Sequence, residues 1–395
     1  MSFLKKLQRF RIFQHSFKEP AEFYAHQIKF PNKVSKISGL DVFSEDFQIL
    51  NPRVTFSVSL LMFYFYINIV SAYEMRDNTE DLINSLTTIG IAIQSVTKIV
   101  TFGVFRKDLV WLHQYTKTLY REECNPRTRD LLMNDVFLLS VILKTMIVGY
   151  AFTSISLDFA PVLVLTYTGL KLLPFGFYIP FLDQFSWTGY MINYFVQILL
   201  TVFVTSQDMG PDCIYMIISM NSFTQINLIV DSLKELSRHI DEGDSDMDDQ
   251  IISIIQRHQE HLTYLRTVET VFCMMYLLSF ISLSSVLILS LFAVVTLSWY
   301  QGIVFILFVS YQLFFGCFLG TILEIKNEEL QRAIYNISWY KLSLSNQKLL
   351  RFLLQSAQEP VKLTLVFARL NMPTYLQVYK TIYSIFTMLL TVREE

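Results

Sequence analysis

The sequence predicts an all-α fold: a seven-transmembrane helix bundle with reversed topology (N-terminus inside, C-terminus outside) and a cytoplasmic helical anchor region. Three observations support this prediction. Hydrophobic residues make up 52% of the 395 residues and charged residues only 17%, a balance typical of integral membrane proteins. Apolar stretches of membrane-spanning length recur along the chain. Lysine and arginine are concentrated on one side of these stretches.

Seven stretches are long enough to cross the bilayer, because about 20 helical residues cover the roughly 30 Å of its hydrocarbon core. Lys98 lies in the second stretch, whereas Asp135 and Lys144 lie in the third. The predicted spans are residues 54–70, 82–105, 131–157, 185–206, 271–297, 301–323 and 362–392.

The basic residues orient the bundle. If the N-terminal segment is assigned to one side, that side holds 24 of the 32 Lys and Arg residues, the other side holds three, and five lie inside spans. Because cytoplasmic loops carry an excess of Lys and Arg, the N-terminal side is predicted to be the cytoplasm.

The cytoplasmic segments also carry apolar residues at helical spacing, as amphipathic helices do. This pattern covers residues 214–236, through which the fourth helix is predicted to continue, and residues 251–268 and 328–355. Three such helices on one side of the membrane predict a packed intracellular bundle and an assembly surface. The predicted organisation is a cytoplasmic segment with the first four spans (1–206), a cytoplasmic helical extension (207–270) with an acidic loop (241–249), the fifth and sixth spans (271–323), a cytoplasmic anchor helix (324–361) and the last span (362–395).

The last span has a small polar stripe. Thr381, Ser384, Met388 and Thr391 are spaced three, four and three residues apart, which places them on one helical face. Such a face either packs against another helix through small residues or touches water. The residues alone leave both interpretations open.

No enzyme or nucleotide-binding motif is present. The sequence has no glycine-rich phosphate loop, no HExxH and no GxSxG motif, so we predict neither an enzyme nor a bound cofactor. His258 and His261 have the spacing of metal ligands on a helix, but no further ligands cluster near them, so no metal site is predicted. The net charge of −2 gives no indication of a nucleic acid partner.

Seven spans also suggest two other classes of membrane protein. A G-protein-coupled receptor has the opposite topology, and here the last span has no NPxxY-like sequence and no cysteine can link the third span to the loop at 158–184. A secondary transporter tends to have internal repeats and spans broken by glycine or proline. This chain has 12 Gly and 10 Pro, and it shows no repeat.

Several features together resemble the insect odorant receptors. They are the reversed seven-span topology, the short outer loops, and a long cytoplasmic segment that bears Tyr335 and Trp339. Two sequences add to the resemblance, LLRFLLQSAQEP before the last span and YSIFTMLL at 383–390.

The resemblance is to the odorant branch and to a ligand-tuning subunit. Gustatory receptors carry a TYxxxxxQF pattern in the last helix; here Tyr375 follows Thr374, but Lys380, Thr381 and Ile382 occupy the region of the Gln-Phe pair. The chain also lacks the longer cytoplasmic insertion of the shared co-receptor. A gustatory-type homomeric channel remains an alternative, as does a G-protein-coupled receptor.

The resemblance implies a function and partners. It implies a multi-pass protein in the plasma membrane of a sensory-neuron dendrite that binds a small volatile organic ligand. It further implies a heterotetramer with the odorant co-receptor, which forms a ligand-gated, non-selective cation channel in the lipid bilayer. The last helix would line the pore, and a cytoplasmic anchor containing Tyr335 and Trp339 would hold the subunits together. The pore residues implied are Thr381, Ser384, Met388, Thr391 and Val392, with Met388 and Val392 as the apolar gate.

The resemblance also implies a ligand pocket in the outer half of the bundle. Binding of a small apolar ligand comes mainly from buried area, about 25 cal/mol per Å², and an aromatic lining with one or two hydroxyls gives shape selection and orientation. For each lining candidate, ordinary helix packing is the alternative. The candidates are Ile89, Ile93, Ile147, Tyr150, Ala151, Ser154, Trp187, Tyr190, Met191, Tyr194, Phe305 and Phe308.

Lys98 and Lys144 are unusual because a lysine at mid-membrane costs about 3 kcal/mol on insertion scales. Both lie toward the predicted inner half, where a long side chain can reach the headgroups. The alternative is a buried acidic partner, for which Asp135 is our hypothesis.

Overall fold

Helices account for nearly all the regular structure of the chain. The computed structural model describes residues 17–44, 47–49, 51–122, 126–180, 182–183, 186–242, 247–297, 299 and 302–394, so residues 1–16 and part of the acidic loop, 243–246, lie outside it. Within this part, the only β-type pairing is one isolated bridge between Thr364 and Arg369. The all-α prediction is therefore confirmed. The helices are α1 Pro20–Ile37, α2 Pro52–Glu74, α3 Thr79–Leu86, α4 Ile89–Val104, α5 Arg106–Glu122, α6 Arg129–Thr168, α7 Trp187–Glu242, α8 Asp248–Thr296, α9 Gly302–Tyr335, α10 Leu344–Gln358 and α11 Met372–Glu394.

Six helical segments of the described chain are long and apolar enough to cross a membrane, and they correspond to the first six predicted spans. The last helix, α11, is 23 residues long, which gives it a length of about 35 Å. It is not among the six, because Lys380 and several hydroxyl residues lower its hydropathy. The seventh span and the orientation of the bundle stay predictions from the sequence. The six segments are Pro52–Glu74, Leu82–Val104, Arg129–Thr168, Trp187–Glu242, Asp248–Thr296 and Gly302–Lys341.

Local signals in the sequence set several helix ends. The side chain of Asn51 accepts a hydrogen bond from the backbone N–H of Val54, and Pro52 occupies the first turn of α2; both are favoured at helix N-termini. Gly169 ends α6 with a left-handed φ of 73°, a conformation that glycine adopts without steric cost.

Helix α7 forms the centre of the bundle. It is 56 residues long, and it packs against α1, α4, α6, α8 and α9. The predicted fourth span and the amphipathic stretch at 214–236 are therefore one continuous helix. In α8 and in α9, likewise, an apolar segment and an amphipathic segment form one continuous helix, which places a second layer of packing at one end of the bundle.

Helices α1 and α5 pack together in this second layer through aromatic side chains. Tyr24 stacks on Tyr120 with ring centroids 4.9 Å apart. His113 lies 4.6 Å from the ring of Phe43, and its Nδ1 is 3.4 Å from the Tyr24 hydroxyl. Burial and the nearby charge of Lys117 lower the pKa of His113 from 6.5 to about 4, because both disfavour the imidazolium.

We expect the stability of the protein to fall as the pH decreases from about 6.5 to about 4 through protonation of His113. The unfolded chain binds this proton near pH 6.5 and the folded chain only near pH 4, so protons favour unfolding in that window. The effect is about 1–2 kcal/mol between pH 7 and pH 5. Thermal melts of the detergent-solubilised protein at both pH values measure it. His113→Gln should lose this part of the pH dependence, and an identical pH dependence in the variant would contradict the assignment.

Candidate functional site

A cavity of about 630 Å³, a volume that includes space open to solvent, lies between α2, α4, α6, α7 and α9, with the loop between α6 and α7 at one side. Its walls are mostly aromatic and aliphatic, and a smaller number of polar groups converge on it. That composition is typical of a small-molecule site. The lining residues are Tyr64, Thr88, Ile91, Gln94, Tyr150, Thr153, Ser154, Leu157, Phe175, Phe177, Leu200, Thr201, Val204, Thr205, Asp208, Phe305, Phe308 and Gln312.

A layer of polar residues separates this cavity from a second one of about 460 Å³. Gln94 of α4 and Gln312 of α9 line both cavities. On α7, Asp208 lines the first cavity, and Asp212, one helical turn later, lines the second. We call this set the polar layer. Its members are Gln94, Lys98, Tyr150, Asp208, Asp212 and Gln312.

Lys98 is the cation of the polar layer, and its side chain is fully buried. Its Nζ lies 2.8 Å from Oδ1 of Asp212 and 3.3 Å from Oδ1 of Asp208. Ser95, one turn before Lys98 on α4, donates a hydrogen bond of 3.0 Å to the same Asp208 oxygen. Because Asp208 and Asp212 are four residues apart, α7 presents both carboxylates on one face to α4.

Tyr150 connects this ion-pair cluster to two further helices. Its hydroxyl donates a hydrogen bond to Oδ2 of Asp212, and its oxygen accepts one from Nε2 of Gln312. The chain of contacts from Ser95 through Lys98 to Gln312 therefore joins α4, α7, α6 and α9. Buried charges of this kind persist only when they are paired and hydrogen-bonded.

Four of the twelve pocket candidates from the sequence line the first cavity. Tyr150 and Ser154 come from α6, and Phe305 and Phe308 come from α9. Tyr150 and Phe308 also contact each other, with ring centroids 4.7 Å apart. The structure thus brings together one aromatic pair and two of the predicted hydroxyl groups.

The other eight candidates do not line this cavity. Some face the exterior of the bundle, where their side chains are 42% (Ile93), 60% (Trp187) and 57% (Met191) exposed. Others are occupied in packing, since the Tyr190 hydroxyl donates to the backbone oxygen of Leu172 at 3.1 Å. As ligand-binding residues, the eight stay predictions from the sequence. They are Ile89, Ile93, Ile147, Ala151, Trp187, Tyr190, Met191 and Tyr194.

Most residues of the polar layer are not among those predicted from the sequence. Asp208 and Asp212 lie just beyond the predicted end of the fourth span at residue 206, so they were assigned to the cytoplasm. The structure gives them, and not Asp135, as the acidic partners of Lys98. Asp135 instead accepts a hydrogen bond of 2.9 Å from Asn227. The sequence does contain a signal for this contact: two acidic residues four apart follow one predicted span, and a lysine lies inside another span.

The polar stripe of α11 faces away from the rest of the chain. Thr381, Ser384, Met388 and Thr391 are all exposed. The three hydroxyls bond to the backbone of their own helix, as Ser384 does to the oxygen of Lys380 at 3.0 Å. The side chain of Val392 lies outside the described residues.

The predicted subunit anchor is an exposed apolar groove of about 900 Å³ between the end of α9 and α10. Tyr335 is 69% exposed and Trp339 48% exposed. Large exposed aromatic side chains of this kind mark interaction surfaces.

Comparisons with known proteins cover most of the chain. A family model described as 7tm Odorant receptor matches residues 78–383. Odorant receptor 83c of Drosophila melanogaster is 23% identical over 400 residues, which cover 94% of this chain and 98% of that protein. Odorant receptor 10 of Aedes albopictus is 25% identical over 242 residues, which cover 56% of this chain and 61% of that protein.

Solved structures share the architecture. The insect olfactory receptor OR5 from Machilis hrabei matches with a TM-score of 0.78 at 16% identity, covering 93% of this chain and 99% of that one. The same receptor in complex with eugenol matches with a TM-score of 0.74 at 17% identity, with the same coverage of both chains.

Proposed function

The chain belongs to the odorant receptor family that the 7tm Odorant receptor model describes, and from this premise we propose that it is the odorant-binding subunit of a heteromeric, ligand-gated, non-selective cation channel. Family membership makes it a multi-pass membrane receptor of olfaction and not an enzyme. In the proposal, a small volatile ligand binds in the first cavity, α11 lines the pore, and the odorant co-receptor completes a heterotetramer. The protein acts in the plasma membrane of a sensory dendrite.

The observation that supports this proposal most directly is the first cavity itself. Its walls combine four phenylalanines with seven hydroxyl-bearing residues, a lining typical of a small-molecule site. The similar OR5 structure was solved in complex with eugenol.

The contacts of α9 provide a route from the cavity to α11. Phe308 and Gln312 line the cavity, and Phe314 of the same helix packs edge-on against Tyr375 of α11, with centroids 5.9 Å apart. The backbone N–H of Met372 donates to Oγ1 of Thr321 at 2.9 Å. A ligand that prefers the open arrangement of these helices shifts the population toward it, and movement of α11 then widens the apolar gate.

Whole-cell recording tests the proposal. Cells that express this chain with the co-receptor are exposed to a panel of volatiles, and cells with either subunit alone serve as controls. Cation current that requires both subunits supports the proposal. Ligand-evoked current from this chain alone would identify a gustatory-type homomeric channel. Staining of an N-terminal tag without permeabilisation would overturn the reversed topology and favour a G-protein-coupled receptor.

Cysteine accessibility tests the pore helix separately. We expect Ser384→Cys and Met388→Cys to react with a water-soluble thiol reagent during ligand stimulation and to lose more than half of the current, because the stripe touches water in the open pore. Tyr383→Cys is the matched control: Tyr383 is 67% exposed in the single chain but lies off the stripe. Absence of reaction at both stripe positions would contradict the assignment of α11 to the pore.

A further inference from the structure

The polar layer presents hydrogen-bond acceptors to the first cavity that the described residues leave unused. Gln94 is only 3% exposed, and its Oε1 has no hydrogen-bond partner among the described residues. It lines the cavity from α4. A buried acceptor without a donor is unfavourable, so a donor supplied by a ligand is stabilised there.

Asp208 adds a second acceptor beside Gln94. The hydrogen bond from Ser95 and the ion pair with Lys98 both use Oδ1 of this carboxylate. Neither interaction uses Oδ2, and Asp208 lines the first cavity. The cavity therefore meets the polar layer at two acceptors that have capacity for a ligand.

The ammonium and hydroxyl donors of the polar layer are already committed, whereas the side-chain amide of Gln94 can also donate. The Lys98 ammonium is fully buried between Asp208 and Asp212. The Tyr150 hydroxyl donates to Asp212, and Nε2 of Gln312 donates to Tyr150. Two carboxylates against one ammonium also leave the cluster with an excess of acceptors and of negative charge, which favours a donor over an acceptor in the ligand.

The rest of the cavity offers mainly apolar surface to the ligand. Phe175 and Phe177 come from the loop between α6 and α7, Phe305 and Phe308 come from α9, and Leu200 comes from α7. An apolar body gains buried area against these side chains. The cavity is thus amphiphilic, with its unused acceptors in the polar layer.

We propose that this cavity selects amphiphilic ligands whose polar group is a hydrogen-bond donor, a hydroxyl or an amine. The donor contacts Gln94 and Asp208, and the hydrocarbon body lies among the phenylalanines. Ethers and hydrocarbons of the same shape leave both acceptors unpaired and bind more weakly, because a site built to hydrogen-bond a group discriminates against analogues that lack it. This inference rests on the proposed function, since it takes the first cavity as the ligand site.

Matched ligand series test the proposal. Straight-chain and phenylalkyl alcohols, the corresponding primary amines, and methyl ethers and hydrocarbons of equal heavy-atom number are compared by the thermal stabilisation of the purified protein and by current in cells with the co-receptor. We expect the alcohol or amine of each bound set to be at least tenfold more potent than its ether. Equal or greater potency of the ethers, or no binding by any alcohol or amine, would overturn the proposal.

A substitution at Gln94 tests whether this residue causes the preference for ligands with a hydrogen-bond donor. Gln94→Met keeps the length of the side chain and removes the acceptor, so the alcohol-to-ether potency ratio should fall at least fivefold. Gln259→Met is the matched control, because Gln259 is exposed on α8 far along the chain from the cavity residues, and its ratio should equal that of the wild type. An unchanged ratio in Gln94→Met would contradict the role of this residue.

The two readouts separate this inference from the proposed function. If alcohols and amines stabilise the purified protein more than ethers do, but no current appears in co-expressing cells, the channel function is contradicted and the preference for donors is supported. Currents of equal size for alcohols and ethers would support the channel function and contradict the preference for donors.

Discussion

Lys98→Met is expected to abolish both surface expression and ligand-evoked current. The substitution removes the only cation that the structure places between Asp208 and Asp212, at 3.3 and 2.8 Å from their Oδ1 atoms. Removing one partner of a buried pair leaves uncompensated charge and costs about 3–5 kcal/mol. Because a domain is stable by only about 5–15 kcal/mol, the loss removes a large part of the free energy of folding. Surface biotinylation and whole-cell current measure the two effects.

Lys144→Met is the matched control for this prediction. Lys144 is also a lysine within a predicted span, but its side chain is only partly buried. We expect its substitution to leave surface expression and current within about twofold of the wild type. A Lys98→Met protein that reached the surface at the normal level and conducted normally would show that the ion pairs carry no structural role.

A compensated variant keeps the interpretation testable where the single variant does not fold. Lys98→Met combined with Asp208→Asn and Asp212→Asn removes all three charges together. Replacement of a buried ionic group by neutral residues of similar size is often tolerated, so this triple variant should recover part of the surface expression. If it expressed no better than Lys98→Met alone, the loss would come from packing around Lys98 and not from unpaired charge.

The sequence does not show which face of each helix points into the bundle. Phe305 and Phe308 line the first cavity, whereas Ile93 and Met191 are exposed. In a soluble helix, the apolar face marks the core. In a membrane helix, lipid and bundle interior are both apolar, so the periodicity of hydrophobic residues does not distinguish the two sides.

The polar layer escaped prediction for a different reason. Hydropathy placed the end of the fourth span at residue 206, yet α7 continues to Glu242 without a break. Asp208 and Asp212 therefore looked like the first residues of a cytoplasmic segment, although they are buried against Lys98. A boundary in hydropathy is a change of composition, and only the three-dimensional packing shows where the low-dielectric interior ends.

Val204→Phe is expected to raise the ligand concentration for half-maximal current at least tenfold. Val204 is half-buried in the wall of the first cavity on α7. A phenyl ring at this position occupies volume that a ligand otherwise fills, and a tenfold loss corresponds to about 1.4 kcal/mol of binding free energy. Since the cavity is open space in the chain, the larger side chain should not cause the strain that overpacking of a filled core produces. Dose–response curves in cells with the co-receptor measure the shift.

Val202→Phe is the control that separates filling of the cavity from a general effect on α7. Val202 lies two residues earlier on the same helix, but its side chain is 55% exposed on the outer surface of the bundle. The same change of side chain there should alter the dose–response curve less than twofold at equal surface expression. Equal shifts of the half-maximal ligand concentration in both variants would mean that a larger side chain on either face of α7 weakens the response. That result would contradict the assignment of the first cavity as the ligand site. A shift confined to Val204→Phe cannot arise from bulk on α7 alone, because the two variants differ only in the side of the helix that carries the ring.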